Sequence, residues 1–304
     1  CSRAGVILKF YTLLFFLCSL RYAGADNVVR IASFNLQNYL SCERVVDGKW
    51  RPSYPKPEVE KKALRRVIRS VNPDILAIQE IGDYPYLLEL WNDLNNTGGP
   101  YFRHATWMPN EEKEEVRHLA YFSKFEPVNV KKHNDIQFKY FEGYEKSGRG
   151  LLEAVFVLNG QRFTVFNLHL KSMWTERSDD PNAKIRREKE ARSIRDFIRN
   201  KLPPESNPSF LITGDFNDHK NSAPLNRFIS VSSTILTNII PCIDSRGHVW
   251  THYYKKQDSY SRIDYILASP KMFSRFIPNS GWIEDENGSE SASDHRLIYA
   301  DFRI

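Results

Sequence analysis

Cysteine is scarce, four in 304 residues, and methionine scarcer at three. So few thiols exclude a disulfide-dense scaffold, and no Cys or His pair stands at zinc-ligand spacing, which excludes a structural zinc site. Beyond the N-terminus there is no apolar run of the ~20 residues that a spanning helix needs. Internal repeats and low-complexity linkers are also missing, so residues 26–304 read as one catalytic-sized domain. The apolar fraction of 41% and the charged fraction of 26% are those of a soluble globular chain.

The N-terminus is different in kind. Lys9 precedes an apolar stretch from Phe10 to Leu20, and Ala23-Gly24-Ala25 forms a small-residue cleavage pattern before Asp26. Residues 1–25 are therefore expected to be a signal peptide, and the mature protein secreted or periplasmic; the rival reading is a membrane anchor. Cleavage removes Arg3, Lys9 and Arg21 and no acid, taking the net charge from +6 to +3. That balance permits a polyanionic substrate without arguing for one. It also leaves Cys42 and Cys242 as one pair, bridged or free, since spacing does not say whether the Cα atoms approach. Asn95 and Asn287 open glycosylation sequons.

Along the mature region strands and helices interleave. Val28 to Asn35 alternates as a strand; Pro57 opens a helix with Ala63, Leu64, Val67, Ile68 and Val71 on one face; Asp74 to Glu80 reads as a buried strand. Tyr84 to Leu94 predicts a short helix with Leu87, Leu88 and Trp91 inward. Two runs, Leu152–Leu158 and Gln161–Leu170, flank Asn159-Gly160, the pair suited to a two-residue hairpin. A charged helix is predicted over Asn182–Lys201 with Ile185, Ile194, Phe197 and Ile198 inward and its Arg/Lys-rich face solvated. Strands follow at Ser209–Thr213, Ile263–Ala268 and Arg296–Phe302. The alternation implies an α/β fold with two mixed sheets face to face and helices outside.

Within single strand faces the residues change character. Period-2 counting gives Val29, Ile31, Ser33, Asn35; then Leu76, Ile78, Glu80; then Phe163, Val165, Asn167, His169. Each apolar face turns polar at the strand's C-terminal end, where a packed sheet gives rigid support below and open access above. Leu211-Ile212-Thr213-Gly214-Asp215-Phe216-Asn217 runs from an apolar strand into acids and amides. Asp264 lies within an apolar run and needs a partner, since an unpaired buried carboxylate is costly. His295, in Ser293-Asp294-His295, is available.

These segments, Ser33-Phe34-Asn35-Leu36-Gln37-Asn38, Asp74 to Glu80, Asn167-Leu168-His169, Gly214-Asp215-Phe216-Asn217, Arg262-Ile263-Asp264-Tyr265 and Ser293-Asp294-His295, resemble in order the motifs of the endonuclease/exonuclease/phosphatase superfamily. The resemblance spans Val28 to Phe302 and implies a four-layer α/β sandwich with a magnesium-dependent site, manganese being the natural substitute. It implies Glu80 as metal ligand, Asn35 at metal and phosphate, and Asp294 beside the metal. Asp215 and Asn217 would orient the attacking water, Asp264 would pair with His295, and Arg149 would bind phosphate. His169 resembles the histidine of the deoxyribonuclease I-like branch. Gln37 departs from the repair enzymes, which carry an acid there.

Hard oxygen donors such as Glu80 and Asn35 suit magnesium, and an anionic diester needs a cation, an activated water and a stabilised leaving oxygen. His295 and Asp215 compete for the base. Three functions follow: a nuclease, a phosphoesterase of a lipid (sphingomyelinase-like) or inositol-phosphate headgroup, and a non-catalytic binding module. Trp250 to Lys256 mixes aromatic and basic residues, as nucleic-acid contacts do. No exposed apolar hairpin for lipid docking is evident.

Overall fold

Parallel neighbouring strands cannot be joined by a tight turn, so each parallel pair requires a crossover, usually a helix. The chain contains two such units. The computed structural model describes residues 28–304 apart from 97, 111–114 and 287; the expected signal peptide and the Asn287 sequon lie outside the described residues. Numbering the strands of the two large sheets in chain order gives β1 (Val28–Tyr39), α1 (Glu58–Val71), β2 (Ile75–Ile81), α2 (Tyr84–Asn96), β3 (His104–Met108), β4 (His118–Ser123), β5 (Asn129–His133) and β6 (Leu151–Leu158). These are followed by β7 (Gln161–His169), α3 (Lys184–Lys201), β8 (Phe210–Asp215), α4 (Ala223–Ile229), β9 (Asn238–Ile239), β10 (Asp264–Ala268), β11 (Trp282–Ile283) and β12 (Ile298–Arg303).

One sheet has the order β11-β12-β1-β2-β4-β3, the other β9-β10-β8-β7-β6-β5. In each the single parallel pair is central: β1 with β2 across α1, and β7 with β8 across α3. All other neighbours are antiparallel. Within the large sheets the tightest connection is Asn159-Gly160, both at positive φ as a two-residue hairpin between right-twisted strands requires.

Apolar residues fall into three clusters. Val29, Ile31, Ala77, Val165, Leu211 and Ile266 fill the space between the sheets. Phe34, Leu76 and Ile78 pack on Leu64, Ile68 and Leu87 of α1 and α2. Phe166, Ile212 and Leu267 pack on Ile194, Ile198 and Phe228 of α3 and α4. The result is the expected four layers. Beneath the later site a polar clip ties the sheets together: Asn167 Nδ2 donates to the carbonyls of Ile78 (2.9 Å) and Ala120 (3.0 Å), and Gln79 Nε2 donates to Asn167 Oδ1 (2.7 Å).

Several details differ from expectation. In α2 Leu87, Leu90 and Leu94 are buried, whereas Leu88 is half-buried. In α3 the inward stripe runs Arg187, Ala191, Ile194, Ile198, which leaves Ile185 exposed and buries Arg187, Glu190 and Arg195, so the charged helix is not solvated all round. Cys42 and Cys242 are both free thiols. Asn95 donates its amide to the Phe102 carbonyl (2.7 Å). An exposed apolar pair does exist: Val45 (71% exposed) lies opposite Trp50 (61%) on the Cys42–Val46/Lys49–Tyr54 hairpin, contrary to expectation. No described helix is long and apolar enough to cross a membrane.

Candidate active site

Both parallel pairs deliver their C-terminal ends to one edge of the sandwich, where the interior opens into a cleft of about 650 Å³. Asn35 and Glu80 come from β1 and β2, His169 and Asp215 from β7 and β8. Carboxyl ends of parallel strands are the usual home of α/β sites because the connecting loops diverge there. Asp294 and His295 enter from the segment before β12, and Asp264 starts β10.

Asp215 Oδ2 is the hub. Asn35 Nδ2 lies 3.1 Å from it, Asn217 Nδ2 3.4 Å, His169 Nε2 3.4 Å and His295 Nε2 3.8 Å. Its other oxygen accepts the Asn217 backbone N–H at 2.8 Å. Burial, reinforced by the nearby acids Asp264 and Glu80, pushes the Asp215 carboxyl up to about 7 against the opposing pull of His295. Such a carboxyl can exchange a proton near neutrality.

His295 is held from behind, its Nδ1 2.9 Å from Asp264 Oδ2. Two backbone N–H groups, of Ile263 and Asp264, donate to Thr251 Oγ1 (3.1 Å each) and fix the start of β10. Burial alone would lower the imidazole's pKa, but the charges of Asp264 and Asp215 together raise it well above the ordinary value, so His295 is cationic. His169 is the opposite case. Its pKa lies well below the usual range, first through burial and then through Arg149 and the His295 cation. Its Nε2 faces Asp215 and Glu80 while Nδ1 has no partner among the described residues, which identifies a neutral ring with the proton on Nε2.

Glu80 reaches the cleft by an irregularity. Leu76 and Ile78 face the helices, and strict alternation would send Glu80 there too. Instead Glu80 adopts φ +61° at a register shift between Ile78 and Ile81, and its side chain swings to the cleft. There Oε2 accepts the Asn38 N–H (2.8 Å) and Oε1 lies 3.4 Å from Asn35 Nδ2. Gln79 keeps the inner face.

Asn35 Oδ1 accepts the Gln37 N–H (3.0 Å), and its amide NH2 serves Glu80 and Asp215. Gln37, in place of an acid, accepts the Asp294 N–H through Oε1 (3.0 Å). Asn217 commits its amide to the Leu170 carbonyl (2.9 Å) and to Asp215. Arg149 lines the cleft and pairs with Glu115 at 2.8 Å.

Four lining residues carried no periodic signal. Arg117 lies 3.9 Å from Glu80 and donates to Asn38 Oδ1 (2.7 Å). His252 Nε2 lies 3.9 Å from Asp294, and its ring centroid is 4.6 Å from that of His295. Lys171 and Trp174 follow His169 on the wall. His252 sits in the aromatic and basic stretch noticed in sequence; the rest arrive on loops.

The donor set suits a hard divalent cation. Glu80, Asp215, Asp264 and Asp294 gather at one edge with the His295 cation and with Arg117 3.9 Å from Glu80, and burial has already forced one carboxyl up to about 7. Glu80 and Asp294 line the cleft and carry oxygens of the kind such an ion takes.

A profile of the endonuclease/exonuclease/phosphatase family matches residues 32–295. The chain is 24% identical over 242 residues to the probable CCR4-Not complex 3'-5'-exoribonuclease subunit Ccr4 of Vairimorpha ceranae, covering 73% of this chain and 47% of that one, so it spans about half the length of that curated relative. Among solved structures, a beta toxin variant from Staphylococcus aureus with bound magnesium ions has the same fold at TM-score 0.60 and 16% identity, over 91% of this chain and 100% of the toxin. The human Nocturnin catalytic domain with bound sulfate matches at TM-score 0.60 and 18% identity, over 90% and 93%. With a match over most of its length and strand ends that gather the site in the order of the motifs, the chain belongs to the endonuclease/exonuclease/phosphatase family.

Proposed function

We propose that the protein is a secreted, magnesium-dependent phosphodiesterase that cleaves nucleic acid with little sequence preference. The observation that carries this is the hub at Asp215 Oδ2, where a carboxyl poised near neutrality meets a cationic and a neutral imidazole. When bound, magnesium supplies positive charge to the phosphate oxygens and acidifies a water. Glu80 and Asp294 are the residues to hold it. Asp215 Oδ2 takes the proton of the attacking water, and Asn35 and Asn217, both bonded to that carboxyl, fix the direction in which it faces the water. His295, charged and fixed by Asp264, places its Nε2–H on the phosphate as negative charge grows, and neutral His169 donates its Nε2–H to an adjacent oxygen.

The relative's exoribonuclease name supports a nucleic-acid substrate, and magnesium in the toxin variant supports the ion. Secretion rests on the N-terminal sequence, with residues 26–304 acting as one domain. A second reading, hydrolysis of a phospholipid headgroup, is favoured by one observation: the exposed Val45–Trp50 pair projects from the hairpin whose Arg44 donates to the Asn38 carbonyl beside Glu80. The test offers plasmid DNA, RNA, sphingomyelin and inositol phosphates to purified protein in magnesium and in chelator. Cleavage of nucleic acid only in magnesium is expected; inert nucleic acid with rapid cleavage of sphingomyelin would replace this reading with the second.

A further inference from the structure

The mechanism uses the carboxylates and imidazoles of the cleft and leaves part of its wall unexplained. Three cations line that wall: Arg149, Lys171 and Arg186. Arg149 and Arg186 each have a carboxylate, Glu115 at 2.8 Å and Glu145 at 2.9 Å. Lys171 has none among the described residues. Its ammonium rests on oxygens of its own turn, Ser172 O (3.4 Å), Ser172 Oγ (3.3 Å) and the Trp174 carbonyl.

Lys171 is nonetheless positioned with care. Its N–H donates to Glu190 Oε2 (2.8 Å) and its carbonyl accepts from Arg187 (3.1 Å), both buried residues of α3. Glu190 Oε1 also takes the Ser147 hydroxyl (2.8 Å) and the Gly148 N–H (3.3 Å), fastening the Arg149 loop to the Lys171 loop. Arg187 is anchored in turn by Asp218 (2.9 Å). Burial, Arg149 and Arg186 push the Lys171 pKa down to about 8, the response of a cation crowded by cations, which a bound anion reverses. At the rim the Trp174 indole is 69% exposed and still lines the cleft, with the Lys171 ammonium 5.7 Å from its ring centroid. Burying Glu190 and Arg187 beneath this wall and leaving a tryptophan uncovered on it both cost stability.

We propose that this wall is a single-strand subsite: Arg149, Lys171 and Arg186 hold a phosphate neighbouring the scissile one, and the Trp174 indole stacks the unpaired base attached to it. Stacking on an exposed ring requires a base with a free face, which a duplex withholds, so the subsite selects single strands. The inference rests on the nucleic-acid reading and adds the strandedness of the substrate.

Its test uses the full chain carrying Asp215→Asn, which removes the base, so that binding can be followed in magnesium without cleavage. Fluorescence anisotropy reports a labelled thymidine decamer and a duplex of equal length over a salt series. Single strands should bind more tightly than duplex. Trp174→Leu should weaken single-strand binding roughly 5- to 100-fold and leave duplex within about twofold, while Trp174→Phe keeps most of the affinity. Lys171→Gln should lower the single-strand salt slope by about 0.7. If the parent enzyme cleaves nucleic acid but neither variant changes single-strand affinity or slope, the subsite is refuted and the function stands. A parent enzyme that neither binds nor cleaves nucleic acid removes both.

Discussion

Asp264→Asn isolates the charge behind His295 without changing side-chain size. The two groups are 2.9 Å apart and both buried. At an effective dielectric of about 20, charges at that distance attract by roughly 6 kcal/mol. Desolvation offsets part of this, and removing one partner of a buried pair costs about 3–5 kcal/mol. At the lower end, the loss corresponds to about a hundredfold in kcat at pH 7, because the asparagine leaves the imidazole free to lose the proton that holds the phosphate. The sign follows from the raised pKa of His295. Its pairing stabilises the fold in full below the ordinary imidazole value and fades as pH climbs through the raised one. Wild type should therefore lose rate as acid protonates Asp215 through about 7 and again at alkaline pH, whereas Asp264→Asn should bring the alkaline loss to lower pH, with a Tm deficit that shrinks as pH rises. Initial rates and Tm across the pH range measure both, and Asp264→Asn/His295→Ala should be little worse than His295→Ala alone, as expected of residues acting as a unit. A loss under about threefold at pH 7 with an unmoved alkaline limb would falsify the role assigned to the pair.

Three further outcomes are expected. Glu80→Gln should raise the magnesium needed for half-maximal rate by roughly tenfold or more with Tm preserved, read by metal titration; full wild-type activity in chelator would contradict a metal at this carboxylate. Asn167→Leu removes the bond from Gln79 and the two bonds to the carbonyls of Ile78 and Ala120, and three lost bonds at about 1 kcal/mol each predict a stability loss near 3 kcal/mol. At 2–4 °C per kcal/mol that is a drop of roughly 6–12 °C in a melting curve, and an unchanged Tm would show that the clip contributes nothing. Gly214→Ala would place a Cβ 2.0 Å from the Leu168 carbonyl oxygen at φ +140°, so the variant should be recovered without a cooperative unfolding transition; a native-like melt would mean that β7 and β8 can separate there.

The layered fold was readable from sequence because alternation and helical spacing are local. The face Val29, Ile31, Ser33, Asn35 keeps its period through to the site, since β1 is regular that far. Glu80 was found for an incomplete reason. Its residue type marked it, but counting by two placed it on the helix-packed face, and only the left-handed turn at the register shift brings it to Asp215's neighbourhood. No residue pattern announces that shift. In α3 the apolar rule pointed to Ile185, whereas the buried stripe continues to Arg187, whose partner Asp218 lies 31 residues away. Arg117, Lys171 and Trp174 are set by loops, where nothing is periodic and tertiary contacts alone decide the direction of a side chain.

The pairing of β1 with β12 joins Val28 to Arg303, so the sheet that carries Asn35 is completed by the last strand of the chain. His295 and Asp294 stand just ahead of that strand, and His295 has no cationic role until Asp264 is behind it. The site is therefore closed by a contact between segments 258 residues apart: the Ser293 hydroxyl, two residues before His295, donates to the Asn35 carbonyl at 2.8 Å.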